Sequence, residues 1–359
     1  MKKSFLLPIM ILVVASLLSG IFSGWYRLGF ALPVDQIFLH HGAIMTGSFL
    51  GTLILMERIV TLQRKWLFAF PLVNVSSLLF YYMGWHQAAF LCLILGALGL
   101  FYVFHLIHQK SPNLPHKIMW VGAAAWLLGN TNLLLMGAYA HSILWWMAFL
   151  LLTIAGERLE LAQFLPVSKG KRAILLVLLG TFVVACMLPY HLGGNYVAGV
   201  ALLLISLWLM RYDMIRQSIK KPGIHRYSAV SLLLGYVWLG LSGLSYGLDA
   251  SGTINYDVLI HSFYLGFVFS MIFAHAPFVL PGILKLSYKP YHPILYLWIS
   301  VFHASLLIRL LGSMLSIPAW KQWGGLANGL CILLFMIQVV TLLLIKRKRA
   351  INQEKQSMG

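Results

Sequence analysis

The chain has 359 residues, of which 60% are hydrophobic and only 9% charged, and its net charge is +18. Soluble globular domains carry about 25% charged residues, so this composition excludes a water-soluble fold. Nucleic acid is excluded as the reason for the positive charge, because the basic residues follow the pattern of a membrane topology.

A bilayer core takes roughly 20 consecutive apolar residues per helix. In chain order, segments of that kind are predicted near 5–23, 38–62, 66–84, 87–108, 117–138, 141–164, 172–190, 195–212, 228–247, 257–282, 292–313 and 323–345. Lys2 and Lys3 precede the first, but no clear small-residue cleavage site follows, so it reads as a retained helix. With the amino terminus inside, every Lys and Arg except Arg27, Arg309 and Lys321 falls on the inner side, counted with the adjoining helix ends. The Arg211–Arg226 loop and the tail Lys346-Arg347-Lys348-Arg349 carry much of this bias. That is the positive-inside rule. The expected fold is therefore an all-α, multi-pass protein of the inner (cytoplasmic) membrane, with about twelve transmembrane helices and both termini cytoplasmic. No long polar insertion interrupts it, so 1–359 reads as one polytopic domain in contact with lipid, with a basic tail at 346–359.

An internal repeat organises the helices. His41, His141 and His261 open helices 2, 6 and 10, and each is followed eight residues later by Phe49, Phe149 or Phe269. The first two copies also share Leu50/Leu150, Ile54/Ile154, Glu57/Glu157, Arg58/Arg158 and Gln63/Gln163 at an offset of 100. Three pseudo-repeated groups of four helices follow, at roughly 1–108, 109–212 and 213–345.

Histidine within a membrane helix is expensive and marks a functional site by default. Imidazole ligates transition metals and haem iron. His40, His41, His86, His141, His191 and His261 are expected at the outer face, and His303 near the middle of helix 11. His41 and His261 favour ligation, since they recur in register and run directly into apolar helix. For His40, His86 and His191 an interfacial role is the better reading, and His141 fits either. His261 and His275 are fourteen residues apart, which at 100° per residue returns to within about 40° of one face. That spacing suits helices that hold two stacked haems, but no second helix repeats it. Arg309 lies near the outer end of helix 11, where it could meet an anion such as a haem propionate or snorkel to the interface. Glu57-Arg58 and Glu157-Arg158 close helices 2 and 6. Adjacent helical residues do not face one another, so each Glu is expected to pair with a charge on a neighbouring helix, with proton entry as the alternative. Cys92, Cys186 and Cys331 form no CxxC pair and read as inert. There is no CxxCH, P-loop, GxSxG or HExxH, so any haem is expected to be b-type rather than covalently attached.

Three stretches carry a family resemblance: His40-His41-GAIMTGSFLG, His261-SFYLGFVFSMIFAHAPFVLPG and His303-ASLLIRLLG with Arg309. They resemble NnrS-type haem- and copper-containing membrane proteins and, at fold level, subunit I of haem–copper oxidases and nitric oxide reductases. The resemblance implies haem held by His41 and His261, with Arg309 beside a propionate. It implies a second, copper-type metal site near His141 with His191 or His303, and chemistry on nitric oxide or a related diatomic gas. An electron-donor protein or a quinone would be the redox partner. This chain departs from the oxidase pattern in having a single histidine, His191, at the end of helix 7, and no two histidines two apart in helix 10. The competing expectation is a cofactor-free scaffold or a transporter coupled to protons through Glu57 and Glu157.

Overall fold

Lipid offers no hydrogen-bond partners, so a chain this apolar has to satisfy its backbone internally. A computed structural model describes residues 6–34, 36–165, 167–249, 254–283 and 289–357. Among these there is no β-strand. Contacts divide the chain into two compact units, 1–164 and 165–359, and the boundary falls inside the middle predicted group.

The first unit holds α1 (Leu7–Arg27), α2 (Phe38–Leu62), α3 (Ala69–Tyr82), α4 (His86–Lys110), α5 (Leu114–Met136) and α6 (Ala140–Leu161). Helices α1, α2 and α3 pack on one another, and α3 to α6 each pack against the next in sequence. The second unit holds α7 (Lys169–Met187), α8 (Gly194–Tyr212), α9 (Ile224–Leu248), α10 (Tyr256–Gly282), α11 (Leu295–Met314) and α12 (Pro318–Ser357), again packed largely in sequence order. Eleven of these helices are long and apolar enough to cross a membrane. The exception is α3. The segment predicted at 66–84 splits into a 3-10 turn, Lys65–Phe68, and a helix of only 14 residues. Exposed apolar stripes such as Leu91, Leu95 and Leu98 on α4, or Leu330, Leu334 and Ile337 on α12, recur at helical spacing. Such stripes are tolerable where lipid covers them.

Two helices change hand-over within their span. In α2, residues Ile44–Gly51 are π-helical, and in α10 residues Ser262–Phe269 are too. The π form is rare, is usually confined to a single turn and is frequent at functional sites. Each of these stretches begins within three residues of a histidine, His41 or His261. Each also contains a glycine pressed against a neighbouring helix. A Cβ on Gly47 would lie 2.7 Å from the Leu93 side chain, and one on Gly266 2.5 Å from Trp238 Cγ. Both glycine carbonyls accept a side-chain hydrogen bond, Gly47 from Asn74 (2.9 Å) and Gly266 from Ser270. The second copy of the repeat lacks this form: α6, opened by His141, is regular α-helix throughout.

Buried polar side chains tie the helices laterally. In the first unit, Asn130 on α5 donates to the Leu93 carbonyl of α4 (3.1 Å) and accepts from Trp146 Nε1 of α6 (2.9 Å). In the second, Asn328 on α12 donates to Phe302 O (3.0 Å) and Ser305 Oγ (2.7 Å) on α11. Replacing Asn130 by Leu strands the Trp146 N–H in an apolar interior, a loss of about 1–3 kcal/mol. The expected outcome is a lower unfolding temperature in detergent for Asn130→Leu. Leu128→Ala, at an exposed position on the same helix, is expected to leave it unchanged.

Candidate functional site

His41 sits where α2 begins, with α1 beside it. Its Nδ1 is 2.8 Å from the carbonyl oxygen of Gly20. A carbonyl can only accept, so Nδ1 carries the proton and the lone pair of the neutral ring lies on Nε2. This is the state of most metal-ligating histidines, whose second nitrogen donates to a carbonyl or carboxylate. The ring rests against Gly24, where a Cβ would approach Cε1 to 3.2 Å. Glycine there makes room for the imidazole.

The adjacent His40 is used differently. It is buried, its Nδ1 is 2.6 Å from the Tyr139 hydroxyl, and it stacks on Tyr81 and packs tilted against His86, with ring centroids 4.7 and 4.3 Å away. Burial raises the Tyr139 hydroxyl above its ordinary value, against the pull of Arg27, so it stays a neutral phenol. His40 and His86 thus form a packed aromatic group that joins α2, α4 and the entry to α6.

In the second unit, His261 ends the first α-helical turns of α10. Its Nδ1 lies 2.9 Å from Asp257 Oδ1 and 3.1 Å from the Asp257 carbonyl, one helical turn earlier. Both partners are acceptors, so this ring also carries its proton on Nδ1 and its lone pair on Nε2. Asp257 is held in turn by Arg309, through Nη2 to Oδ1 (2.6 Å) and Nε to Oδ2 (3.1 Å), and by Ser313 Oγ (2.9 Å). Arg309 Nη2 lies 3.3 and 3.4 Å from the two ring nitrogens of His261, and since a guanidinium N–H can only donate, it also faces the lone pair on Nε2. Arg309 is therefore buried and forked onto a carboxylate instead of snorkelling to the interface. Asp257 was missed in the sequence, although its spacing of four from His261, like that of Arg309 from Ser313, is the signal of one helix face.

The remaining predicted residues have other surroundings. His303 Nδ1 accepts from Trp238 Nε1 (2.9 Å), which places the His303 proton on Nε2, and that nitrogen is buried with no hydrogen-bond partner. An imidazole in this tautomer has no lone pair on Nε2 to give a metal. His141 is exposed at the start of α6. His191 lies in the 3-10 turn Tyr190–Leu192, and its side chain falls outside the described residues. His275 Nδ1 bonds the Met271 carbonyl at 2.8 Å. The π-helical stretch between His261 and His275 turns less per residue than an α-helix, which adds to the 40° shortfall expected at regular spacing. Among the described residues, no group of three or more His, Cys, Asp and Glu forms that could hold a metal ion.

The far ends of α2, α4, α5 and α6 gather charge. Arg58 pairs with Glu157 and lies 3.8 Å from Glu57, so one Glu-Arg motif of the repeat answers the other. His116 Nε2 faces Glu160 at 3.6 Å. Arg58, Lys110, His116 and Glu160 line a cavity of about 260 Å³ floored by Phe104 and Met119. Breaking a buried pair by removing one partner costs about 3–5 kcal/mol, whereas replacing both can be neutral. Arg58→Met is accordingly expected to lower thermal stability in detergent more than the double variant Arg58→Met, Glu157→Leu.

No curated protein and no solved structure matches the chain. A family model described as a domain of unknown function, DUF8744, matches residues 6–344. That match takes in α1 to α11, α12 as far as residue 344, and both histidine sites, and the chain belongs to the DUF8744 family.

Proposed function

We propose that this chain is a haem-binding protein of the inner membrane, with both termini cytoplasmic, in which His41 and His261 would each offer an imidazole nitrogen to haem iron. One observation carries the reading: both histidines donate Nδ1–H to a fixed acceptor, and so turn the lone pair of Nε2 outward from that bond. Their common position at the mouth of a π-helical stretch adds to it. The donor chemistry fits haem iron, which binds neutral imidazole nitrogen. Haem, when bound, supplies one-electron chemistry and a site for a diatomic gas such as nitric oxide. The chain would supply the ligand atoms, their orientation and a dry surrounding. The proposal is confined to haem. The tautomer of His303 and the exposure of His141 lend no support to copper.

A second reading has the charged cavity at Arg58, His116 and Glu160 in its favour: proton-coupled transport of a small solute through the first unit. The two readings separate on one measurement. Protein purified from haem-sufficient cells is expected to show a Soret band, a reduced-minus-oxidised α band and iron by elemental analysis. His41→Ala and His261→Ala are each expected to lose haem, and His303→Ala to keep it. Reduced protein is expected to shift its spectrum on addition of nitric oxide or carbon monoxide. Purified protein with neither Soret band nor iron would overturn the haem reading and leave the transport one.

A further inference from the structure

We propose that Asp257 is the positioning residue that sets the orientation and donor strength of His261, and that Arg309 is the counter-charge limiting its effect. The inference rests on the haem reading above and assigns roles within that site. Asp257 sits in the first turn of α10, where its backbone N–H is capped by Asn255 Oδ1 at 2.9 Å. One turn later the His261 ring returns to the same face, so Oδ1 and the Asp257 carbonyl both meet Nδ1. A carboxylate at that nitrogen does three things. It fixes the proton on Nδ1, it stops the ring from rotating, and it moves electron density toward Nε2.

A bare carboxylate could not remain in an apolar interior, because desolvating a charge costs far more than one hydrogen bond returns. Here the side chains of Asp257 and Arg309 are each only 10% exposed, and two parallel contacts join them. Ser313 supplies a further donor to Oδ2. Oδ1 is thus shared between Arg309 and His261. The guanidinium withdraws part of the negative charge that the imidazole would otherwise feel. The two residues act on the ring in opposite senses: Asp257 strengthens Nε2 as a donor, and Arg309 tempers it. An ion pair whose sole task was to lock α10 to α11 would have no need to share an oxygen with the imidazole.

The test is redox potentiometry with electron paramagnetic resonance of the ferric state, on full-length protein in detergent. Asp257→Asn keeps the shape and an oxygen acceptor for Nδ1–H but removes the charge. A weaker donor stabilises the ferric state less. The expected result is a raised midpoint potential, an altered ferric spectrum and a haem dissociation constant higher by about ten-fold or more. Arg309→Lys keeps the charge but loses the fork, and its midpoint potential is expected to fall. Unchanged potentials and spectra in both variants, with only thermal stability reduced, would make the cluster a structural ion pair and overturn the proposal. If Asp257→Asn retains no haem, the decision passes to Arg309→Lys: a lowered potential supports the proposal and a wild-type value overturns it. Wild-type protein without haem is a different outcome, since it defeats the underlying reading before either variant is made.

Discussion

A polypeptide in hydrocarbon can place its backbone hydrogen bonds only within itself, and the rest of this structure follows from that. It makes every long element a helix and leaves lateral packing to side chains. It also makes each interior polar group a problem to be met locally. Asn130, Asn74 and Asn328 meet it by bridging helices, each spending its amide on a carbonyl or hydroxyl of a neighbour. Charges meet it in compensated groups: Arg58 with Glu157, and Asp257 with Arg309, Ser313 and His261.

The same constraint gives the histidines their character. A ring nitrogen in an apolar interior needs a partner, and the partner that is present decides the tautomer. At His41 and His261 the partner is an acceptor, while at His303 it is the indole N–H of Trp238. Identical side chains in similar helices thereby acquire opposite chemistry. Gly20, Asp257 and Trp238 thus determine which nitrogen of each imidazole carries the proton and which the lone pair.

Much of the fold was legible from the hydropathy of the chain, because length and apolarity are what the bilayer reads. The short helix Ala69–Tyr82 was less so, since its predicted span includes residues that form a separate 3-10 turn. The histidine spacing grouped His41, His141 and His261, and of these His41 and His261 open π-helical stretches. It ranked the copies differently, however. Residue identities tie His41 to His141, whereas helix form ties His41 to His261. Three of the shared residues, Glu57, Arg58 and Glu157, meet in ion pairs at the far end of the helices, which says nothing of the end that holds the histidines. Helix form depends on cross-helix contacts such as Gly47 with Leu93 and Gly266 with Trp238, which lie far apart in sequence. Asp257 was overlooked because a lone acidic residue at a helix start reads as a cap until Arg309 and Ser313 are seen around it.

The π-helical stretches bear on how sequences of this family should be aligned. A π turn closes over one more residue than an α turn, so removing a single residue from 44–51 or 262–269 would restore α-helical register. Because the π form accommodates that one extra residue, the helix beyond the deletion would keep nearly its present facing, and the change would be confined to the turns next to the histidine. A one-residue gap near either histidine, which an alignment of apolar helices would ordinarily absorb as noise, marks the loss of the π form beside the imidazole. Sequences with and without that residue would be nearly identical and differ in the backbone hydrogen bonds of the turns next to the ring.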